Sequence, residues 1–251
     1  MGLKEHETGS MLQTALVAVS VDRGKRASHQ VYEALRSAII SLRLLPNQPI
    51  SDYEVASLLS VSRTPVREAF IRLAEEGLLT TYPQLATVIS PIRMDAIYEA
   101  QFLREAVEGS IAARAAEQIE PFHAAQLRTA LEEHEVAWEA GDWAAFYTID
   151  ERTHRLVGEI AGLSGVLKHL DPARAQLDRM RHVVLPERDT ALRVIQQHRV
   201  FIQAICNRKP EAAKMAMTLH TRDILRRLPD LQARRPELFE EKPAARASGR
   251  R

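Results

Sequence analysis

The sequence Leu58-Leu59-Ser60-Val61-Ser62-Arg63-Thr64-Pro65-Val66-Arg67-Glu68-Ala69 joins the end of one short helix to the start of another through a tight turn. Pro65 falls in the first turn of the second helix, where a missing backbone N–H removes no hydrogen bond. Upstream, Ser51 or Asp52 is a suitable N-cap for the first helix. Downstream, Gly77 is a typical residue for the end of the second helix. The pattern predicts a helix-turn-helix.

The flanking residues extend this motif into a winged helix-turn-helix over residues 28–92. A preceding helix begins at Ser28 and carries apolar residues at three- and four-residue steps, namely Val31, Leu35, Ala38, Ile39 and Leu42. It is expected to end before Pro46, because the residue preceding a proline disfavours the helical region. Two β-like runs with a four-residue tip between them follow the helix-turn-helix: Leu78–Tyr82, Pro83–Ala86 and Thr87–Ser90.

Residues 93–228 show a helical apolar period nearly throughout. Breaks fall at Glu120-Pro121, Gly141-Asp142, Gly162–Gly165, Pro186 and Lys209-Pro210. Short connections between helices predict an antiparallel, all-helical bundle of six to seven helices. Residues 1–27 lack a sustained period and are expected to form a loosely ordered extension, and residues 229–251 a basic tail that frays. The predicted fold class is mainly α.

Composition limits the class of protein. The chain has 251 residues, of which 45% are hydrophobic and 27% charged, and one cysteine, Cys206. A single cysteine excludes a disulfide scaffold, and no apolar run reaches the roughly 18 residues that a membrane span needs. We therefore expect a cytoplasmic protein with no membrane contact. The net charge is only +1, and the basic excess lies in residues 226–251, so DNA binding must depend on the placement of a few arginines.

The start of the second helix of the helix-turn-helix carries residues that can read DNA. Arg63 and Arg67 are four residues apart and project from one helical face. An arginine fork pairs with O6 and N7 of guanine in the major groove. Ser62 and Thr64 can donate to phosphate at the positive end of the same helix. The alternative is an ordinary solvated helix in which Arg67 pairs with a neighbouring acid such as Glu68.

The quoted stretch, continued by Arg72-Leu73 and Glu75-Glu76-Gly77-Leu78-Leu79, closely resembles the DNA-binding domain of GntR-family transcription regulators. The resemblance covers residues 28–92. It implies that Arg63 and Arg67 contact operator bases and that the hydroxyl residues beside them hold phosphates.

Two positions depart from the family pattern. Tyr53 stands where some members carry a further DNA-contacting arginine, and its hydroxyl can still reach a phosphate. Ala86 stands at the wing tip, where a glycine usually approaches the DNA backbone. The second departure puts the contact between the wing and DNA in doubt.

Three histidines and an aspartate lie on otherwise apolar faces of three predicted helices: Asp150, His154, His198 and His220. Asp150 and His154 are four residues apart and share one face. Burying such groups is costly unless they are paired, and one divalent cation would satisfy all four. The donor set suits zinc, with nickel, manganese or iron as alternatives. The competing interpretation is a set of ordinary core residues, as His134 is on its own apolar stripe.

Residues 94–228 resemble the FCD-type ligand-binding domain of the FadR subgroup of GntR regulators. The family motif is Asp-x-x-x-His, then a histidine in a later helix and one in the last, and the four residues above match it. The resemblance implies a metal-containing pocket for a small organic acid. Arg104 is expected to bind this effector, and Arg174 and Arg181 to serve the same pocket. The alternative for Arg104 is an ion pair with Glu108 one helical turn away.

These observations predict a transcriptional regulator, a repressor in the first instance, and not an enzyme. The expected partners are pseudo-palindromic double-stranded operator DNA, read by a homodimer, and a small carboxylate effector, with a sugar acid as the first candidate. Two alternatives stay open. One is a metal-dependent enzyme acting on an organic acid, for which the sequence offers no clear catalytic base. The other is a constitutive DNA binder whose metal is purely structural.

Overall fold

The structure of the protein is a computed structural model that describes residues 12–17, 19–22 and 24–240. Over residues 27–89 the N-terminal domain contains three helices and three short strands: α1 (Ala27–Ile40), β1 (Pro49–Ile50), α2 (Asp52–Leu58), α3 (Arg63–Glu75), β2 (Leu79–Tyr82) and β3 (Ala86–Ile89). The strands form an antiparallel sheet in the order β1-β3-β2, in which Leu79 pairs with Ile89 and Pro49 with Val88. This arrangement is the predicted winged helix-turn-helix.

The core of this domain lies between α1, α3 and the sheet. Val31 and Leu35 of α1 are fully buried with Val66 and Leu73 of α3, and each such side chain contributes roughly 1.5–3 kcal/mol to folding. Gly77, which follows α3, has a φ of 69°, so the predicted glycine stop of this helix is present. This packing fixes the direction in which α3 presents its exposed face.

The first helix ends earlier than its sequence predicts. It stops at Ile40, five residues before the expected end at the residue preceding Pro46. Leu42 adopts a φ of 57°, which breaks the helical path. The amide of Leu44 then donates to the carbonyl oxygen of Ala38, at 3.0 Å, and closes the helix end. The turn brings Leu44 into the core, a long-range gain that the local period does not encode.

The C-terminal domain is the predicted helical bundle. Its helices are α4 (Met94–Gln118), α5 (Pro121–Ala140), α6 (Trp143–Ile160), α7 (Ser164–Val184), α8 (Arg188–Cys206) and α9 (Pro210–Asp223), followed by a 3₁₀ turn (Ile224–Arg227) and α10 (Leu228–Arg234). The connections that join successive helices from α4 to α9 fall at the breaks predicted from the sequence. Pro121 and Pro210 begin their helices, and Gly141 ends α5 with a φ of 68°.

Both terminal segments differ from the sequence expectation where the structure describes them. Residues 12–16 are helical, with Leu12 and Leu16 buried in the core of the N-terminal domain, so this part is not loosely ordered. The predicted tail forms α10, and Leu231 and Phe239 are buried. A few apolar residues per segment find partners that are distant in sequence, which a local period does not reveal. Residues 1–11 and 241–251 lie outside the described part.

Two contacts join the domains near the linker between them. Helix α7 lies against the N-terminal domain, where Gln176 Nε2 donates to the carbonyl oxygen of Gly77 at 2.9 Å and Arg179 Nη1 donates to that of Ser90 at 2.8 Å. The chain after α10 returns to the linker, so that Ile92 and Phe239 form a parallel bridge. Within the described residues, no helix is both long and apolar enough to cross a membrane.

Candidate functional site

The four predicted metal ligands converge inside the bundle. Asp150 and His154 come from α6, His198 from α8 and His220 from α9, and each is 8% exposed or less. One nitrogen or carboxylate oxygen of each residue lies within 4.8 Å of those of the others. The shared-site interpretation, which sequence spacing alone left open, thus has the geometry it requires.

Outer partners lie against Nδ1 of two of these histidines. His220 Nδ1 lies 3.0 Å from Gln197 Oε1, and His154 Nδ1 lies 2.7 Å from Glu108 Oε2. The Gln197 oxygen accepts a hydrogen bond, so the proton of His220 belongs on Nδ1 and its lone pair on Nε2. The contact of His154 with Glu108 is close but lacks the geometry of a hydrogen bond. The two Nε2 atoms face each other at 3.1 Å. This separation suits a shared cation, since two nitrogens on one tetrahedral zinc ion are roughly 3.3 Å apart.

Three of the four ligands, Asp150, His154 and His198, have buried polar atoms without a hydrogen-bond partner among the described residues. Both ring nitrogens of His198 and Oδ1 of Asp150 lack a hydrogen-bond partner among the described residues, although His198 Nε2 is 3.2 Å from that oxygen. Buried groups of this kind are costly without a partner. Burial, reinforced by the neighbouring imidazoles, lowers the pKa of His198 and His220 well below the usual value, so both are in the neutral form that binds metal. The residues present therefore fit a divalent cation.

Arg104 lies beside this site and makes the ion pair that was its alternative role. Its Nε is 2.6 Å from Glu108 Oε1, and both side chains are 3% exposed. Burial alone would raise the pKa of Glu108, but the charge of Arg104, followed by the close contact with the His154 ring, lowers it well below its ordinary value. The pair thus keeps an ionised carboxylate against His154, and Arg104 also borders a small cavity lined by His220.

Arg174 and Arg181 of α7 approach the quartet from another side. Arg181 contacts Asp150 Oδ2 and also reaches Glu151 Oε1 at 2.6 Å, while Arg174 lies 2.5 Å from the same Glu151 oxygen. Burial lowers the pKa of Arg181 to about 10. Both arginines are thus ion-paired with carboxylates, and one of those carboxylates, that of Asp150, belongs to the metal-ligand set.

Two cavities border the quartet. One of about 30 Å³ is lined by Arg104, Arg181 and His220, and it has room for little more than a water molecule. The other, of about 840 Å³, is lined by His154 and Arg174 on one side and by α1 of the N-terminal domain on the other. The larger cavity is big enough for a small organic molecule.

The predicted DNA-reading arginines project from the start of α3 into solvent. The side chains of Arg63 and Arg67 are 52% and 62% exposed. Both bind the carboxylate of Asp52, the first residue of α2, and not Glu68: Arg63 Nη2 lies 2.8 Å from Oδ1 and Arg67 Nε 2.7 Å from Oδ2. The hydrogen bond from Arg67, followed by that from Arg63, lowers the pKa of Asp52.

The other predicted DNA contacts are accessible on the same side. Ser62 precedes α3 without capping it through its side chain, Thr64 is exposed, and Tyr53 is 67% exposed. Ala86 is not at the tip of the wing, because it begins β3 and pairs with Tyr82. The tip is residues 83–85, in which Gln84 has a φ of 61° and Leu85 is 85% exposed.

Sequence reasoning missed three residues that support the two sites. Glu108 lies against Nδ1 of His154, Gln197 is hydrogen-bonded to Nδ1 of His220, and Asp52 holds both arginines. Glu108 is one turn from Arg104 and Gln197 precedes His198, so proximity was a weak signal for each. Asp52 had no signal beyond its position as a possible cap, since its partners are on the next helix.

Comparison with known proteins gives the same division of the chain. Residues 27–89 match the bacterial regulatory proteins of the gntR family, and residues 96–223 match the FCD domain. The chain is 30% identical over 214 residues to the HTH-type transcriptional repressor RspR of Escherichia coli (strain K12), covering 85% of this chain and 94% of that protein. The chain belongs to the GntR family, and its C-terminal domain is an FCD domain.

Two further comparisons agree with this assignment. The probable D-xylose utilization operon transcriptional repressor of Paenarthrobacter nicotinovorans is 30% identical over 192 residues, which are 76% of this chain and 84% of the relative. The solved structure of E. coli McbR/YncC has the same fold, with a TM-score of 0.69 at 19% identity, covering 82% of this chain and 97% of that one. This GntR protein is a transcriptional regulator and not an enzyme. Its N-terminal domain binds DNA, its FCD domain accepts a small-molecule effector, and the buried quartet can hold a metal ion.

Proposed function

We propose that this GntR regulator is a homodimeric repressor that reads a pseudo-palindromic operator and releases it when a small carboxylate binds the FCD domain. Arg63 and Arg67 contact bases, and Ser62, Thr64 and Tyr53 contact phosphates. A divalent metal ion, zinc in the first instance, is held by the four residues Asp150, His154, His198 and His220. The protein acts in the cytoplasm, where bacterial operators lie.

One observation carries the coupling of the two domains. Helix α7 contacts Asp150 and Glu151 through Arg181. Five and two residues earlier on the same helix, it donates to Gly77 and Ser90 of the DNA-binding domain. A change in the position of α7 at the effector site therefore changes its hydrogen bonds to the domain that carries α3. A coupling free energy of about 1–3 kcal/mol is sufficient for such control.

The arginines on α7 favour a carboxylate effector. Arg174 and Arg181 already share one carboxylate oxygen of Glu151, so an incoming carboxylate has the chemistry to replace Glu151 there. Arg104 borders the neighbouring small cavity and completes the predicted set. A metal ion at the quartet supplies a positive charge for a second oxygen of the ligand. We take a sugar acid as the first candidate, a choice supported by the relative named for D-xylose utilization.

Exposed apolar side chains on two neighbouring helices of the FCD domain suit a second copy of the chain. Tyr98 and Phe102 of α4 and Met215 and Leu219 of α9 are each more than half exposed, on helices that pack along each other. Dimers are expected to dissociate in Phe102→Asp. The matched variant Phe122→Asp, which changes an exposed phenylalanine on α5, is expected to remain dimeric in sedimentation experiments.

The DNA-reading part is tested by selecting bound duplexes from a random pool. Wild type is expected to enrich one sequence, and Arg63→Ala to lose that preference while keeping its melting temperature. Arg26→Ala, which removes an exposed arginine before α1, is the control and is expected to keep the preference. Unchanged preference in Arg63→Ala would contradict the assigned role.

The effector part is tested by melting the metal-loaded protein with a panel of sugar acids and dicarboxylates. A single acid is expected to raise the melting temperature and to weaken operator binding in wild type. Gln176→Ala, which removes the hydrogen bond from α7 to Gly77, is expected to keep the thermal shift and lose much of the effect on DNA. If no acid acts and Arg104→Ala is fully functional, the metal is structural and the regulator constitutive.

A further inference from the structure

Asp52 holds the two candidate base-reading arginines in one hydrogen-bonded group. The carboxylate lies between the start of α2 and the first turn of α3, and its side chain is 19% exposed. Arg63 binds it through Nη2 alone, at 2.8 and 3.1 Å, and Arg67 through Nε alone, at 2.7 Å. The group borders an open groove between α3 and the wing hairpin.

The atoms used in these bonds leave one complete two-donor edge, Nη1 with Nη2, available on Arg67. On Arg63 both two-donor edges include Nη2, which binds Asp52, so Nε and Nη1 remain as separate single donors. Within the part of the chain that the structure describes, neither Nη atom of Arg67 makes a hydrogen bond, and Arg63 keeps Nε and Nη1. Two parallel N–H donors are the edge that pairs with O6 and N7 of guanine. Asp52 therefore holds Arg67 with its free two-donor edge in a fixed direction, and it holds Arg63 with single donors, Nε and Nη1, available to DNA.

Such an arrangement changes what binding costs. A long arginine side chain loses rotamer freedom when it docks on a base, and a contact made before binding removes part of that loss. The acidic group also repels phosphates, which penalises complexes in which the arginines make only backbone contacts. Both effects favour the correct sequence over other sequences.

We propose that Asp52 is a specificity-determining positioning residue that orients Arg63 and Arg67 for base recognition and weakens non-specific binding. The inference rests on the proposed role of these arginines in reading the operator. It predicts that loss of the Asp52 carboxylate changes the ratio of specific to non-specific affinity more than it changes overall affinity.

The test compares Asp52→Asn with Glu54→Gln in the full-length protein. Glu54 is the other acid in the first turn of α2, is exposed, and makes no ion pair within the described residues, so its variant removes the same charge without touching the arginines. Affinities are measured by fluorescence anisotropy for the selected duplex and for a scrambled duplex, over a range of salt concentrations. Thermal melting checks that both variants are folded.

In Asp52→Asn the ratio of specific to non-specific affinity is expected to fall roughly 10-fold. The reason is that part of the discrimination that arginine–guanine pairs provide is lost. In both variants the scrambled duplex is expected to bind about twofold more tightly at low salt, because one repulsive charge is gone. Asp52→Glu, which restores the charge on a longer side chain, is expected to recover part of the ratio. Equal ratios in Asp52→Asn and Glu54→Gln overturn the proposal.

A double-mutant cycle tests whether Asp52 acts through Arg67. In an Arg67→Ala background, Asp52→Asn is expected to change the ratio much less than in wild type, because its partner is absent. An undiminished effect there contradicts the proposed route. If wild type itself shows no preference for any duplex, the proposed operator reading is wrong. If wild type and Asp52→Asn both discriminate, and equally well, only the role of Asp52 is wrong.

Discussion

The side chains around the metal-ligand quartet divide into residues that would touch a metal and residues that orient those ligands. Gln197 belongs to the second group, since its Oε1 atom lies 3.0 Å from Nδ1 of His220. Loss of such outer partners typically lowers metal affinity 10- to 100-fold. The orientation of one imidazole thus depends on an amide that has no contact with the ion.

We expect Gln197→Leu to lower zinc affinity roughly 10-fold, because Nδ1 of His220 loses its acceptor and the ring loses its preferred tautomer. Competition with a chromogenic chelator measures this change. Gln196→Leu, which alters the exposed neighbour on the same helix, is the control and should bind zinc as wild type does. Equal affinities in the two variants would rule out the orienting role.

His182 makes stability depend on pH. Its ring stacks on Tyr147 with centroids 3.9 Å apart, and burial, followed by the charges of Arg181 and Arg43, lowers its pKa from 6.5 to about 4. The unfolded chain therefore binds a proton at this residue before the folded chain does. The contribution of His182 to stability is present above about pH 6.5 and is lost as the pH falls toward 4.

His182→Gln removes this titration, so the unfolding free energy of wild type should fall relative to that of the variant between pH 7 and pH 4. Denaturant unfolding at several pH values measures the difference. His169→Gln, on the exposed side of the same helix, should show a pH profile parallel to wild type. A parallel profile for His182→Gln as well would mean that the folded state binds the proton as readily as the unfolded state.

At the scale of elements, the close approach of α4 and α9 depends on Gly109. A Cβ atom built there would lie 2.7 Å from Oγ1 of Thr218 and 3.4 Å from the carbonyl oxygen of Lys214. Helix α9 also carries His220, so the spacing of these two helices sets the position of one metal ligand. A larger side chain at residue 109 must move α9 or Thr218.

Gly109→Val is expected to lower stability by about 1–3 kcal/mol through overpacking, and to weaken metal binding because His220 moves with α9. Melting temperature and zinc titration report the two effects. Ser110→Val places the same side chain on the exposed side of α4 and should change neither by much. Normal metal binding in a destabilised Gly109→Val protein would show that α9 keeps its position.

The elements that could be predicted from the sequence are those with strong local signals. Helix starts at Pro121 and Pro210 and the glycine stop after α3 follow from backbone restrictions, and the quartet follows from the spacing of Asp150 and His154 with two histidines on apolar stripes. Strand β1 has only two residues, Pro49 and Ile50, and exists because β3 offers an edge.

The missed contacts of the sites have the same origin as the missed strand. The pairing of Asp52 with two arginines, and of Glu108 with His154, depends on how one helix is rotated against another. That rotation is set by core packing over the whole domain, so the local sequence around the contacting residues does not predict it.

For the molecule as a whole, a metal ion would join three helices of the bundle, so metal and stability should be linked. A ligand at 100 times its Kd stabilises the folded state by about 2.7 kcal/mol. We expect zinc to raise the melting temperature of the stripped protein and a chelator to reverse the shift. His198→Ala should lose the response and His169→Ala should keep it. An equal zinc shift in both variants would place the ion elsewhere.

The parallel bridge between Ile92 and Phe239 places the two ends of the helical domain side by side. The amide of Ile92 donates to the carbonyl oxygen of Leu238 at 2.8 Å, and the amide of Glu240 donates to that of Ile92 at 3.0 Å. A domain whose ends meet can be inserted into a loop of another protein or circularly permuted with little distortion of its host. The paired ends of residues 92–240 therefore satisfy the geometric condition for inserting this domain into a loop of another protein.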